Sequence, residues 1–195
     1  MLSSIHPLGE GGRNNRWGVT VTAFSLASVV AGAVVGGSLG LVGTWLLPGP
    51  SEEYWLVAIA VVAIGAGILD LARVNAPGPA RQVNEAWIGR YRNWIYGGAF
   101  GAQLGVGFST YVVTWGVYST LAVEFLSASP TRGMWIGGIF GAGRTIGLFV
   151  ALRVDRPSRL ANLHRNMAKL GRPIHLATAA AAILIGVFAG FEVVL

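Results

Sequence analysis

Apolar and small residues gather along this chain into five long runs, at about residues 19–47, 54–72, 93–126, 133–152 and 173–192, separated by short polar or basic segments. Each run carries few charges and is close to, or above, the roughly 20 residues a helix needs to cross a bilayer. The pattern predicts an all-α, polytopic helical membrane protein with five transmembrane helices. A polar cytoplasmic tail at 1–18 would precede a single transmembrane domain at 19–195. The third run, Asn93 to Leu126, is the longest, and its only side chain of fixed charge is Glu124. As one straight helix it would reach roughly 50 Å, against a hydrocarbon core of roughly 30 Å, so it must tilt, kink or break. Splitting it into two short helices would give a sixth crossing, at the cost of moving one basic connector to the opposite side.

Glycines recur every fourth residue inside two of the runs, as Gly32, Gly36 and Gly40 and as Gly97, Gly101 and Gly105. This small-xxx-small spacing lets helix backbones approach closely and marks both as helix-packing ridges. Pro48-Gly49-Pro50 stops the first run. The connector at 74–92 places Val83, Trp87, Ile88 and Tyr91 on one helical face, and that at 153–172 does the same with Leu160, Leu163, Met167 and Leu170. Both predict interfacial amphipathic helices whose arginines touch anionic membrane lipids. A shift of 80 residues superposes Trp55 on Trp135, Gly67 on Gly147 and Arg73-Val74 on Arg153-Val154; a shift of 70 superposes Thr44-Trp45 on Thr114-Trp115. The first two runs thus read as a two-helix repeat of the next two, and pockets at repeat interfaces recur in transporters.

Charge changes the picture chiefly by assigning sides. Only 11% of the 195 residues are charged and 53% are hydrophobic, with a net charge of +6. Of the 14 Lys and Arg, two lie before the first run, four between Arg73 and Arg92 and six between Arg153 and Arg172. Under the positive-inside rule these segments are cytoplasmic, which gives a multi-pass protein of the cell membrane with its N-terminus inside. The same distribution argues against nucleic acid as a partner. The first residues lack the charged start, short apolar run and cleavage site of a signal peptide, so the first run is expected to remain as an anchor. The absence of cysteine removes disulfides, thiolate metal sites and thiol redox chemistry.

Arg144 is the sharpest chemical signal. It lies about eleven residues into the fourth run, roughly 16 Å deep, where a charge costs at least about 2.5 kcal/mol. Gln103 has similar depth from the other side, with Ser109 and Thr110 one to two turns further on. If the third and fourth runs pack as a hairpin, Arg144, Gln103, Ser109 and Thr110 form one polar substrate-binding site suited to a small anion or solute. The competing reading has Arg144 capping carbonyls, pairing with an acid or meeting a partner subunit. Asp70 lies one turn from Arg73 and reads as a local ion pair. Glu124 and Glu192 are expected near the outer headgroups, and His175 is the one histidine in a run. No triad order, HExxH, phosphate loop or carboxylate pair is present, so no catalytic residue, cofactor or metal is assigned and the chain reads as a non-enzyme.

The segments Gly97-Gly98-Ala99-Phe100-Gly101-Ala102-Gln103-Leu104-Gly105-Val106-Gly107-Phe108-Ser109-Thr110 and Gly138-Ile139-Phe140-Gly141-Ala142-Gly143-Arg144-Thr145-Ile146-Gly147 resemble the Gly-rich helices of the CcdA/DsbD transmembrane family. That family carries electrons through a cysteine in each repeat, whereas the corresponding position here reads Ser109-Thr110-Tyr111-Val112, so the resemblance implies at most movement of a small solute. The expectation is a small transporter-like membrane protein. The alternative is a non-catalytic structural or assembly subunit of a membrane complex, a homo-oligomer or one joined to other membrane subunits, in which Arg144 is satisfied at the interface.

Overall fold

The computed structural model describes residues 5–47, 52–79, 86–110, 112–150 and 157–194. Among them every regular element is a helix: α1 (Pro7–Gly12), α2 (Trp17–Leu46), α3 (Glu52–Leu71), α4 (Ala86–Arg90), α5 (Asn93–Val106), α6 (Gly116–Leu126), α7 (Pro130–Val150) and α8 (Pro157–Val194).

The hub is α2. Its 30 residues contain no proline and no charge, so nothing interrupts a rod about 45 Å long. Along it Thr20, Phe24, Ser28, Gly32, Gly36, Gly40 and Gly43 form one buried stripe. A side chain on Gly97, Gly101 or Gly105 of α5 would strike the carbonyls of Thr20, Phe24 and Ser28, in that order. The two registers climb together, so α5 runs parallel to α2. On α7 the order reverses, because Gly141, Gly137 and Gly133 meet Ser28, Gly32 and Gly36. Hence α7 is antiparallel. All three helices converge at Ser28, whose hydroxyl donates to the Gly141 carbonyl at 2.9 Å. The glycine ridges read in the sequence are therefore used within the chain, where absent side chains permit backbone contact and its dispersion energy.

The 93–126 run resolves its excess length by breaking. Gly107, at φ +86°, ends α5 by donating its N–H to the Leu104 carbonyl at 3.1 Å. Ser109 turns its hydroxyl back to the Gln103 carbonyl at 2.6 Å. The start of α6 is then tied to the end of α3: the Asp70 carboxylate accepts the Trp115 amide at 2.9 Å, the Trp115 indole N–H donates to the Val74 carbonyl at 2.8 Å, and the Tyr118 hydroxyl donates to the Pro77 carbonyl. Asp70 thus serves a helix start rather than a side-chain pair with Arg73, to which it is linked through the backbone, Arg73 N–H to Asp70 carbonyl at 3.1 Å.

Helices α3 and α8 pair antiparallel, with Gly67 against Ala179 and Ile183 and Gly186 against Ala60 and Ile64. The second basic connector from Pro157 onward and the fifth run form the single helix α8, with Pro173 inside it. The proposed repeat copies differ in packing. α2 is continuous where its counterpart is split, and Gly67 packs on α8 while nothing described lies within 4 Å of a Cβ on Gly147.

Two described helices, α2 and α3, are long and apolar enough to cross a membrane. This supports a membrane location for an all-helical chain; the finer expectation of five crossings is not reached by that measure, because the longest run is divided, the apolar part of α8 is the shorter Leu176–Phe191, and α7 does not meet it. The first connector also differs from expectation. Trp87 of α4 stacks on Phe100 with centroids 6.1 Å apart, and Trp87 and Ile88 pack against the core of Ile5, Val21, Phe24, Tyr96, Phe100 and Leu148, so these two residues cover protein. Val83 and residues 153–156 lie outside the described residues.

Candidate functional site

Of the sequence-predicted site residues, Ser109 and Thr110 fall in the break between α5 and α6, Gln103 lies in the last turn of α5 just before it, and Arg144 lies on α7. Arg144 of α7 is half-buried, with its guanidinium carbon 5.2 Å from the centroid of the Phe140 ring one turn earlier. The same ring reaches the break, since a Cβ on Gly107 would lie 3.2 Å from Phe140 Cε1. Arg144 makes no hydrogen bond or ion pair among the described residues, and it rests on the aromatic face. A partly desolvated cation–π contact is worth about 1–2 kcal/mol, which offsets only part of the cost of a guanidinium in an apolar layer. Thr110 is 7% exposed and its hydroxyl has no hydrogen-bond partner. Gln103 is half-buried, and its carbonyl takes up the Ser109 hydroxyl. Ser109 is thus committed to the backbone of the break, and among the described residues no hydrogen bond joins Arg144 to Gln103, Ser109 or Thr110.

On α7, Gly143 and Gly147 flank Arg144 at i−1 and i+3, and no described atom lies within 4 Å of a Cβ built on either. Ile139 and Ile146 are also exposed here, at 67% and 65%. A notch of small residues beside an unpaired guanidinium is a surface on which a helix bearing a carboxylate would gain both close packing and an ion pair.

A second polar cluster was not legible in the sequence. The stretch before α2, expected as a solvent-facing tail, is folded from Ile5 onward. His6 caps α1 by accepting the Gly9 N–H at 3.0 Å, and Ile5 and Glu10 are fully buried. The Glu10 carboxylate accepts the Thr20 hydroxyl at 2.9 Å, the Tyr96 hydroxyl at 2.6 and 2.5 Å, and the Arg13 guanidinium at 2.7 Å. Asn15 donates to the Tyr96 oxygen at 3.3 Å, and Asn93 to the Arg16 carbonyl at 3.4 Å. This cluster clamps α1 and the starts of the parallel helices α2 and α5. The available signal was indirect: Thr20 and Tyr96 are hydrogen-bond donors placed where lipid offers no acceptor.

Glu124, expected among outer headgroups, is 1% exposed at the junction of α2, α6 and α7. His175 and Glu192 fall within α8. No group of three or more His, Asp or Glu that would hold a metal occurs among the described residues.

No family model matches the chain, and no solved structure matches it. Among curated proteins it is similar to those described as "Methylamine utilization protein MauF". With that of Paracoccus versutus it shares 31% identity over 155 residues, 77% of this chain and 57% of the relative. With those of Methylobacillus flagellatus and Methylophilus methylotrophus it shares 30% and 29% over 149 residues, 74% of this chain and 53% and 52% of the relatives. The chain thus spans somewhat over half the length of the relatives it matches. These similarities replace the CcdA/DsbD resemblance, which rested on two Gly-rich segments whose spacing any closely packed membrane helix shares. They also overturn the transporter reading and fit the accessory-subunit alternative better. What the chain is similar to, over about three quarters of its own length, is the methylamine utilization protein MauF.

Proposed function

We propose that this chain is a non-catalytic membrane accessory protein in methylamine utilization, acting by holding another membrane protein against α7. The relatives' names supply the process. The observation that carries the mode of action is Arg144, a guanidinium deep in an apolar helix that rests on the Phe140 ring, beside the open Gly143 and Gly147. The ridges Gly32-Gly36-Gly40 and Gly97-Gly101-Gly105 are occupied inside the chain, whereas on the Arg144 face a charge within an apolar helix lies beside open glycines. Its occupant is a membrane-spanning helix carrying an aspartate or glutamate at matching depth. The reading includes a multi-pass arrangement with a cytoplasmic N-terminus, supported by Arg13, Arg16, Arg90 and Arg92 gathering at the end where α2 and α5 both begin.

The test is complementation of a deletion strain on methylamine, combined with a photo-crosslinking residue at Gly143. The wild-type chain should restore growth and crosslink to one membrane protein, and Arg144→Gln should lose both while accumulating normally. Growth on methylamine that is indifferent to the deletion would refute the process. Full complementation by Arg144→Gln with an unchanged crosslink would refute the site.

A further inference from the structure

Glu124 sits where its chemistry has no evident counterpart. The fold places it against the glycine seam that joins α2 to α7. A Cβ on Gly36 would lie 3.1 Å from its carboxyl carbon, and one on Gly137 would lie 3.0 Å from Oε1. The carboxyl therefore rests flat on two facing glycines, 1% exposed, and Oε2 has no hydrogen-bond partner. Glycine at both positions is what leaves it room.

Among the described residues no ion pair compensates it. α2 carries no titratable side chain anywhere between Trp17 and Leu46. α7 contributes Arg132, exposed at its outer end and 5.8 Å from the Trp55 ring, and Arg144, seven residues beyond Gly137 and about 10 Å along the axis, on the Phe140 ring. On α6 the other titratable group is Tyr118, bound to the Pro77 carbonyl. α3, packed on α6, carries Glu52, Glu53, Tyr54 and Asp70, the last committed to the Trp115 amide, and α8, which also meets α6, carries His175 and Glu192 at the two ends of its apolar part. An ionised carboxyl with neither cation nor donor is costly in such a place, and an ionisable group inside a membrane domain is by default a functional one. The chemistry that satisfies a lone carboxyl without further ligands is a proton, because a metal ion needs several oxygens.

We propose that Glu124 is a proton-binding site, and that its proton holds α6 on the α2–α7 seam. Uptake converts the carboxylate to the acid, forming one O–H bond and consuming one proton. Release leaves a charge wedged between two helices with no counter-ion. α6 is the element able to respond, because the described residues between it and α5, 107–110 and 112–115, are non-helical and Gly107 already adopts a positive φ. The inference stands apart from the Arg144 docking face, which lies on another part of α7.

The test uses the full chain in lipid vesicles. Infrared difference spectra between wild type and Glu124→Gln should contain the carbonyl band of a protonated carboxylic acid in mildly acidic buffer, lost as the buffer becomes alkaline. In the same cysteine-free sequence, a thiol probe introduced by Ser119→Cys on α6 should become more reactive over that interval in wild type and remain unreactive in Glu124→Gln. Only carboxylate bands across the whole range, or α6 reactivity that follows pH equally in both, would overturn the proposal. So would loss of the acid band on adding sodium at fixed pH, which would assign the site to a metal cation.

Discussion

Replacing Glu10 by alanine should release the N-terminal clamp. The carboxylate is fully buried and serves as acceptor for Thr20 and Tyr96, which are themselves fully buried. Truncation leaves two hydroxyls without an acceptor and away from water, at about 1–3 kcal/mol each. Arg13 is about a third exposed, and its ion pair adds less than about 1 kcal/mol after solvent screening. A total near 3 kcal/mol is therefore expected, spent on opening α1 rather than on unfolding the bundle, because the glycine contacts of α2 with α5 and α7 lie further along the helices. At about 1.4 kcal/mol per decade this is roughly a hundredfold increase in the open population. The assay exploits the natural absence of cysteine: Ile5→Cys places one thiol at a fully buried position, and its maleimide labelling rate in mild detergent reports opening. Glu10→Gln keeps one acceptor and most of the shape and should cost about half as much. If Glu10→Ala leaves the labelling rate at position 5 unchanged while the protein stays folded, the clamp does not contribute the energy argued here.

Two further substitutions probe the packing. Gly101→Val sets a branched side chain onto the Phe24 carbonyl and should cost about 1–3 kcal/mol or more, read as a lower melting temperature in detergent, whereas Gly65→Val, where nothing described lies within 4 Å, should leave it nearly unchanged. Gly107→Ala forces a Cβ into φ +86° and to 3.2 Å from both Phe140 and Val117, for about 1–3 kcal/mol; equal melting of this variant and wild type would show that the break does not depend on glycine.

Much of the helical content was legible because it follows from local rules. Apolar runs between Pro, Gly and basic segments correspond to α2, α3 and α7 to within a few residues, and to the start of α5 and the end of α6. The spacing of Gly32, Gly36, Gly40, Gly97, Gly101 and Gly105 announced close packing, since a ridge needs only periodicity to be visible. Partners are not periodic. That Gly97 meets Thr20 while Gly137 meets Gly32, making α5 parallel and α7 antiparallel to one hub, depends on contacts between residues far apart in the chain. Tertiary structure also chose the break among the three ways of absorbing a run of excess length, because Asp70 and the Val74 and Pro77 carbonyls offered a start for α6. It moved Glu10 from an apparent tail into a buried network and Glu124 from an apparent rim into a helix junction, because burial depends on what the rest of the chain lays over a residue. Arg144 shows both halves: its depth in an apolar run was set by sequence spacing, and its place on the Phe140 ring, with no ion pair among the described residues, was decided by packing.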